Sequence, residues 1–359
     1  MRGGNGFIFL KHLDDRVPGA SLPTMKTSMR AMVATGFGGP EVLQLQEVPR
    51  PVPAAGQVLI RVRASSVNPI DTKIRSGMLG HLAPSPLILG CDSAGEVVES
   101  GPDTTWQPGD RVMACGGGVI GYPGALAEYQ VLDATLCARC PEGLSWEACA
   151  ALPLVGLTAH EGLTRGGVHE GQRVLVHAGT GGVGQMTIQL AKQLGAEVWT
   201  TVSSQEKAAL AKRLGADGVI FYKEKTVAEY VRQITAGGGF DVVFDTVGGE
   251  NVARCLEAVG VSGTVVSIST RTSADLSPLH AKGVSLHVVF MIIPLLYNQA
   301  GPRAAQGAAL AHISDLAASG SVKPLLDPHV FSFEQAGAAH ALLESGKAIG
   351  KITLSGFPD

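Results

Sequence analysis

The stretch 177-HAGTGGVGQMTIQLAK-192 decides the fold, because it places four glycines within the six residues 179–184. The apolar segment before it, 171-GQRVLVHA-178, is typical of a buried strand. After it, Val183, Met186, Leu190 and Leu194 recur at helical spacing and form one apolar stripe. A strand, a G-x-G-x-x-G turn and a helix in this order predict a dinucleotide-binding unit.

Each glycine of this turn has a separate physical role. The first permits a tight turn, the second lets backbone N–H groups approach a pyrophosphate, and the third lets helix and strand pack closely. The phosphates would lie at the helix N-terminus, where free N–H groups and the helix dipole favour anions. The alternative is a glycine-rich turn in an α/β protein that binds no ligand.

The chain divides into two regions with different sequence patterns. Residues 155–292 alternate apolar strands with helical segments, which predicts a doubly wound parallel sheet, the Rossmann fold. Its expected strands are 174–178, 197–202, 219–222, 241–246, 264–269 and 285–291. Residues 30–154 consist of short alternating segments separated by Gly/Pro turns and predict a β-rich domain, which residues 293–359 are expected to rejoin. Residues 1–29 are expected to be an extension without fixed structure.

Composition narrows the class of protein further. The formal net charge is −3 and no Lys/Arg-rich run occurs, which argues against a nucleic-acid-binding protein. No apolar stretch is long enough to span a membrane, so a cytoplasmic protein is expected. Six scattered cysteines fit a reducing compartment. Cys137 and Cys140 form an isolated C-x-x-C, which we interpret as coincidence rather than as a redox or metal pair.

The strand after the glycine turn indicates which dinucleotide is bound. NAD sites have an acidic residue at the end of this strand, where it grips the ribose hydroxyls. Here 196-AEVWTTVSS-204 ends in Ser203 and Ser204, and Lys207 follows within one helical turn. A 2′-phosphate would be attracted by Lys207, and the absence of an acid would spare it repulsion, so NADPH is the expected cofactor. Alternatively, Lys207 is a solvated helix residue, and Glu206 weakens the charge argument.

Several further stretches make the chain resemble a known family. They are "GPEVLQLQEVPRPVPAAGQVLIRVRASSVNPIDTKIRSG", "LGCDSAGEVVESG", "PGDRV", "LPLVGLTAHEGL", the glycine turn, "DVVFDTVGG" and "GKITL". Over residues 30–355 the chain resembles the medium-chain dehydrogenase/reductase superfamily, in its zinc-independent quinone oxidoreductase (zeta-crystallin-like) branch. The resemblance implies an α/β protein with a Rossmann domain, a GroES-like β-rich catalytic domain and a cleft between them.

The resemblance also implies roles for individual residues. Gly179, Thr180, Gly181, Gly182 and Val183 would hold the pyrophosphate. The 2′-phosphate and adenine would lie among Ser203, Ser204, Lys207 and Tyr222. The nicotinamide end would contact the side chains of Thr158, Val247, Ser267, Ile268, Ser269, Phe290 and Lys351.

Zinc is not expected. Zinc-dependent relatives bind the metal through a cysteine, a Gly-His-Glu motif and a further Cys or Asp, whereas this chain has Asn68 and Gly90-Cys91-Asp92 at the first two places. Catalytic zinc prefers Cys, His or carboxylate ligands with one open position. A zinc-type alcohol dehydrogenase that uses Cys91 and Asp92 therefore remains as an alternative.

Without a metal, fixed hydrogen-bond donors must stabilise the negative charge that grows on the substrate oxygen. Quinones and α,β-unsaturated carbonyls suit such a site, because their product anions are delocalised. The candidate catalytic residues are Asn68, whose amide can donate to a carbonyl, Lys73, where family members often have tyrosine, and Tyr122 in a loop near the expected cleft. A surface position for Lys73 is the competing interpretation.

The expected function is NADPH-dependent reduction of a quinone or an activated alkene. A cofactor-binding protein without turnover is a third possibility, because the sequence contains no unmistakable catalytic acid or base. The resemblance implies a homodimer. The apolar strand 284-VSLHVVFMI-292 could pair edge to edge with a partner, or alternatively could be buried under the protein's own helices.

Overall fold

The computed structural model describes residues 27–358. The expected extension 1–29 lies outside this range except for its last three residues. Strand β1 begins at Ser28, two residues before the predicted start at Arg30, and pairs with Pro49. Met29 is buried beneath this pair, so its apolar side chain belongs to the core.

The first half of the chain is rich in strands, as predicted. Its strands are β1 Ser28–Ala34, β2 Leu43–Pro49, β3 Gln57–Ser66, β4 Asp92–Ser100, β5 Arg111–Cys115, β6 Tyr129–Asp133 and β7 Ala138–Arg139. The short helix α1 Pro69–Arg75 lies between β3 and β4, and α2 Trp146–Ala150 follows β7. Strands β1 and β2 form a separate antiparallel pair, while β3 to β7 belong to one sheet.

The middle of the chain forms the predicted doubly wound sheet. Its helices are α3 Pro153–Arg165, α4 Gly182–Gln193, α5 Gln205–Arg213, α6 Val227–Thr235, α7 Asn251–Ala258, α8 Ser277–Lys282 and α9 Ile293–Leu296. Its strands are β8 Arg173–Val176, β9 Glu197–Val202, β10 Gly218–Phe221, β11 Phe240–Asp245, β12 Val259–Ser267 and β13 Ser285–Val288. They are all parallel, in the order β10-β9-β8-β11-β12-β13.

This order places a switch point between β8 and β11, where connections leave toward opposite edges of the sheet. Ligands of such sheets bind at the carboxyl ends of the strands beside that point. Strand β11 is buried from Val242 to Asp245, as expected of a strand covered by helices on both faces. The glycine turn follows β8 and therefore lies at this position.

The last segment returns to the β-rich half. It contains α10 Ala300–Ala318, β14 Phe331–Ser332, α11 Ala336–Glu344 and β15 Thr353–Ser355. Strand β15 pairs antiparallel with β3, with Thr353 opposite Ser66, and so extends the β-rich sheet to seven strands. This pairing carries Lys351 to the first turn of α1. None of the helices between residues 27 and 358 combines the length and apolarity that a bilayer crossing demands.

Candidate active site

A largely apolar cleft of about 300 Å³ lies at the switch point of the parallel sheet. One wall is the loop after β8 together with the ends of β11 and β12, and the other is α1 with the segment before β15. Nine predicted site residues line it: Asn68, Lys73, Thr158, Gly181, Gly182, Val183, Ile268, Phe290 and Lys351. The fold therefore brings predicted site residues from both halves of the chain together in one cleft.

The glycine loop is shaped as a diphosphate cradle. A side chain at Gly179 would collide with Thr200 of β9, and one at Gly184 would collide with the carbonyl of Ala178, so both glycines are required by packing within the protein. At Gly181 a methyl group would meet only the Ala178 carbonyl oxygen, at 3.3 Å. Gly181 is also the N-cap of α4 and supplies no side-chain cap, which leaves the first N–H groups of the helix available to an anion.

The same loop is fastened to the C-terminal segment. The N–H of Gly350 donates to the carbonyl of Thr180 at 3.0 Å, and the side chain of Lys351 passes over Gly182, where an added methyl would lie 3.1 Å from Cδ. Thr180 does not line the cleft. Its carbonyl accepts the hydrogen bond from Gly350 and so links the loop to the C-terminal segment. The open space at Gly181 and the uncapped start of α4 suit an anionic group such as a diphosphate.

A buried polar network forms the floor of the cleft. The Lys351 ammonium donates to Oδ1 of Asn68 at 2.6 Å and to the Val67 carbonyl at 3.0 Å, and lies 3.5 Å from Oδ2 of Asp92. Nδ2 of Asn68 donates to the same Asp92 oxygen at 2.8 Å. Because lysine only donates and a carboxylate only accepts, the Asn68 amide has one possible orientation. Its oxygen faces Lys351 and its nitrogen faces Asp92.

This network changes the expectation for Asn68. The carbonyl oxygen of the amide accepts from Lys351, one N–H donates to Asp92, and Ser66 O lies 3.4 Å from the amide nitrogen. Asn68 is 1% exposed and, as the N-cap of α1, is held by Asp71 through its backbone. The Asn68 amide N–H, which the sequence suggested as a donor to the substrate, donates to Asp92 instead. The Asn68 side chain is therefore engaged within the protein.

The residues at the zinc position of the family do not fit a divalent metal. Asp92 already accepts from Ser66, Asn68 and the Leu154 N–H, and has the Lys351 ammonium beside it as a resident cation. Burial, with the charge of Asp71 close by, raises the pKa of the Cys91 thiol well above its usual value. Within residues 27–358, no three His, Cys, Asp or Glu side chains are grouped as metal ligands.

Lys73 lies in the cleft rather than on the open surface. It projects from α1 and is half-buried, and its ammonium has no hydrogen-bond or ion-pair partner among the described residues. The hydroxyls of the cleft are committed elsewhere: Thr158 donates to Leu154 O at 2.7 Å and Thr246 donates to His177 O at 2.7 Å. Among the described side chains that line the cleft, Lys73 is therefore the one polar group without a protein partner.

Asp71 supports α1 from inside. Its carboxylate accepts from the N–H groups of Asn68 at 2.9 Å and Gly90 at 3.3 Å, completing a capping box with Asn68. Burial raises the pKa of Asp71 to about 6. It is a structural carboxyl that fixes the start of the helix on which Lys73 lies.

A second cavity of about 610 Å³ continues from the glycine loop toward β10. Tyr222 and Val247 line it, in keeping with the adenosine end of a dinucleotide. His177 also lines it, with its Nε2 buried and without a hydrogen-bond partner in the described chain. Burial lowers the pKa of His177 to about 4, so this imidazole is neutral at physiological pH.

Six of the remaining candidates lie outside both cavities. Gly179 packs against Thr200, as described above. Ser204 caps α5 by accepting from the Lys207 N–H at 3.3 Å, and Ser203 and Lys207 are half-buried beside it. The Ser267 hydroxyl donates to Asp245 at 2.9 Å and Ser269 lies against Gly248, so these two serines hold the strand ends in place.

Tyr122 requires a correction, because it does not line the cleft in the described chain. Its hydroxyl accepts from Nη1 of Arg303 at 3.3 Å, so it is held against α10. The same guanidinium pairs with Asp133 at 2.9 Å. A place in a loop near the expected cleft did not put Tyr122 into the cleft, because the Val119–Tyr122 turn directs the ring toward α10.

Sequence reasoning missed several cleft residues. Thr246 follows β11 directly and precedes Val247, so its place at the carboxyl end of a parallel strand was a usable signal. The apolar members Ile70, Leu79, Leu154 and Leu343 gave no such signal, because leucine and isoleucine in helices predict burial in general rather than a particular cavity.

A glycine cradle at the switch point of a parallel sheet, facing an apolar cleft closed by a β-rich domain, defines a two-domain oxidoreductase that uses a nicotinamide cofactor. Residues 54–142 match the alcohol dehydrogenase GroES-like domain family, and residues 214–354 match the family described as zinc-binding dehydrogenase. The chain belongs to the medium-chain dehydrogenase/reductase superfamily, in its quinone oxidoreductase branch, which confirms the family and the fold expected from the sequence.

Individual relatives support the same family assignment. The chain is 34% identical to a quinone oxidoreductase of Pseudomonas aeruginosa, over 89% of this chain and 97% of the relative. It is 33% identical to the chloroplastic NADPH-dependent alkenal/one oxidoreductase of Arabidopsis thaliana, over 94% and 82%. A mycobacterial protein solved in complex with NADPH is 34% identical, with a TM-score of 0.80 over 91% of this chain and 99% of that one.

Proposed function

We propose that this protein transfers hydride from NADPH to a quinone or to an activated alkene, such as an α,β-unsaturated carbonyl, without a metal ion. The observation that carries the proposal is the apolar cleft beside the glycine cradle, in which Lys73 is the polar side chain without a protein partner. The names of the quinone- and enone-reducing relatives support the same reaction class.

The cofactor, when bound, supplies a hydride from C4 of its nicotinamide. Thr158, Ile268 and Phe290 line the cleft and would hold the ring against the acceptor, while apolar neighbours exclude water. Lys73 would donate to the acceptor oxygen as negative charge develops there, the role for which Asn68 and Tyr122 were also candidates. Asn68 would instead keep Lys351 in place above the diphosphate loop.

Metal independence is supported by the donor set at Asp92. An ammonium 3.5 Å from the carboxylate supplies the positive charge that zinc would otherwise bring. The product anions of quinones and enones are delocalised and need less stabilisation than the alkoxide formed from a simple ketone. A Lewis acid would stabilise the transition state toward such an alkoxide by several kcal/mol. A zinc-type alcohol dehydrogenase would show one metal per chain in elemental analysis.

The preference for NADPH over NADH is supported by the end of β9. Ser203 and Ser204 bring no carboxylate, and Lys207 has no side-chain partner in the described residues. Tyr222 and Val247 line the adjoining cavity, as an adenosine subsite requires. The half-buried positions of Ser204 and Lys207 at the start of α5 leave them accessible to a 2′-phosphate.

Two statements about the whole molecule accompany this proposal. We expect a homodimer that pairs through β13, the edge strand of the parallel sheet, where Val288 is 45% exposed. Light scattering after size exclusion would measure it. A cytoplasmic location is supported by the six cysteines, all of which are buried free thiols.

The test is to mix the protein with NADPH and a panel of quinones and enones, and to follow the absorbance of the reduced nicotinamide. The proposal predicts turnover with members of at least one of the two classes and none with simple ketones. Tight NADPH binding without turnover of any acceptor would instead identify a cofactor-binding protein without catalysis.

A further inference from the structure

The charges of the cleft are not balanced. No Asp or Glu is among its described lining residues, while two lysines are, Lys351 and Lys73. Lys351 is compensated by Asp92 and by two carbonyl oxygens. Lys73 is compensated by nothing in the described chain, although its neighbours Ile70, Leu79 and Leu343 make the wall around it apolar.

The acids nearest in the fold are already engaged. Asp71, on the same helix, is buried and accepts from the backbone of Asn68 and Gly90. Glu344, on the packed helix α11, pairs with Arg75 at 2.7 Å. No carboxylate of the described elements that pack against α1 therefore turns toward Lys73. An ammonium in an apolar wall gains most from a partner that brings its own negative charge.

We propose that the cleft selects acceptors that carry a carboxylate, and that Lys73 is the residue that recognises it. The preferred substrates are conjugated enones or enoates with a free acid group that pairs with the Lys73 ammonium. This inference rests on the proposed function and specifies its substrate class. In the reaction the alkene π bond breaks, hydride from NADPH forms one new C–H bond, a solvent proton forms the other, and NADPH becomes NADP⁺.

The test compares 6-oxohept-4-enoate with its methyl ester, which share a reacting enone insulated from the acid group by two methylenes and differ in one charge. The wild-type kcat/KM for the acid should exceed that for the ester by about tenfold to a hundredfold, the range for a hydrogen bond to a charged group. In Lys73→Met this ratio should fall to about one, and in Lys73→Arg most of it should return, because the positive charge is restored.

Lys323→Met is the matched control, because it removes the same charge from an exposed lysine that lines neither cavity. Its acid-to-ester ratio should equal that of the wild type. A wild-type ratio near one, or a ratio that Lys73→Met leaves unchanged, would overturn the inference. So would a Lys73→Met effect seen only as a higher KM for NADPH with both acceptors, which would assign the lysine to the cofactor.

A second measurement separates this inference from the proposed function. Calorimetry can compare the binding of the saturated acid, 6-oxoheptanoate, and of its methyl ester to the protein loaded with NADP⁺. Tighter binding of the acid, lost in Lys73→Met, would support carboxylate recognition even if no acceptor were reduced. Equal binding of acid and ester would contradict it even if neutral quinones were good substrates.

Discussion

The ammonium of Lys351 lies 2.6 Å from the side-chain oxygen of Asn68, although 283 residues separate the two in the chain. Lys351 precedes β15 and Asn68 caps α1, so the contact joins the C-terminal segment to the first helix. Through Lys351 the same network reaches Gly182 of the diphosphate cradle. The glycine loop and the first turn of α1 are therefore joined through one buried lysine.

Replacing Lys351 by methionine should destabilise the protein by about 3–5 kcal/mol, because Asp92 would remain buried without its cation. Urea unfolding followed by circular dichroism measures this. The exposed Lys323→Met should change the free energy of unfolding by no more than about 0.5 kcal/mol. Equal stability of Lys351→Met and the wild type would show that the network contributes little.

Two glycines of the cradle should respond differently to alanine. Gly181→Ala places a methyl group 3.3 Å from the Ala178 carbonyl at a φ of −78°, which alanine adopts readily, so we expect a stability loss of about 1 kcal/mol or less. Its affinity for NADPH should nevertheless fall at least about tenfold, because the methyl occupies space that the diphosphate needs. Calorimetric titration measures the affinity.

Gly184→Ala is the matched comparison, since its methyl would collide with the backbone of Ala178. It should cost about 1–3 kcal/mol of stability, the usual range for overpacking. If Gly181→Ala bound NADPH as well as the wild type, the diphosphate could not lie on this face of the loop.

Cofactor preference should depend on the charge of residue 204. Ser204→Asp keeps a capping oxygen for α5 and adds a negative charge at a helix start, so the fold should be retained. NADPH affinity should fall about tenfold to a hundredfold through repulsion of the 2′-phosphate, while NADH affinity should hold or improve. Ser204→Asn caps without charge and serves as the control. A similar loss for both dinucleotides would exclude a 2′-phosphate site here.

Stability should fall in mild acid because of buried histidines. Burial, with Arg75 nearby, lowers the pKa of His340 from 6.5 to about 3. Since the unfolded imidazole takes up a proton near pH 6.5 and the folded one does not, the stability from His340 is fully present above pH 6.5 and is lost as the pH falls toward 3.

His340→Leu removes this titration. Between pH 7 and pH 5 the variant should lose about 2 kcal/mol less than the wild type, the linkage for one depressed histidine. Urea unfolding at both pH values measures the two losses, and the difference at pH 7 gives the packing effect of the substitution alone. Equal losses would mean that His340 does not titrate on unfolding.

The features that sequence predicted well are those encoded locally. The glycine turn, the strand 197–202 and the alternation that follows depend on neighbours within a few residues, and the structure reproduces that strand as Glu197–Val202. Strand β12 begins at Val259, five residues before the predicted start at residue 264, because the polar and glycine residues of its first half hide its pairing with Phe240.

The features that sequence could not supply are contacts between distant segments. Asn68 is an ordinary amide in the sequence, and only the approach of Lys351 and Asp92 shows that its hydrogen bonds are taken. Tyr122 is likewise placed by Arg303, 181 residues away. Lys73 is the opposite case. A charged residue on a helix usually predicts a solvent-exposed surface position, whereas α11 and the glycine loop enclose Lys73 in a cleft.

The most direct test of the central claim is to follow the hydride itself. The protein is incubated with NADPH deuterated at C4 and an enone acceptor in ordinary water, and the product is analysed by mass spectrometry. Transfer from the nicotinamide predicts one deuterium on a carbon of the former alkene, from one of the two C4 epimers of the cofactor only. A reduced product without deuterium from either epimer would contradict the account, because the acceptor would then have been reduced by another route.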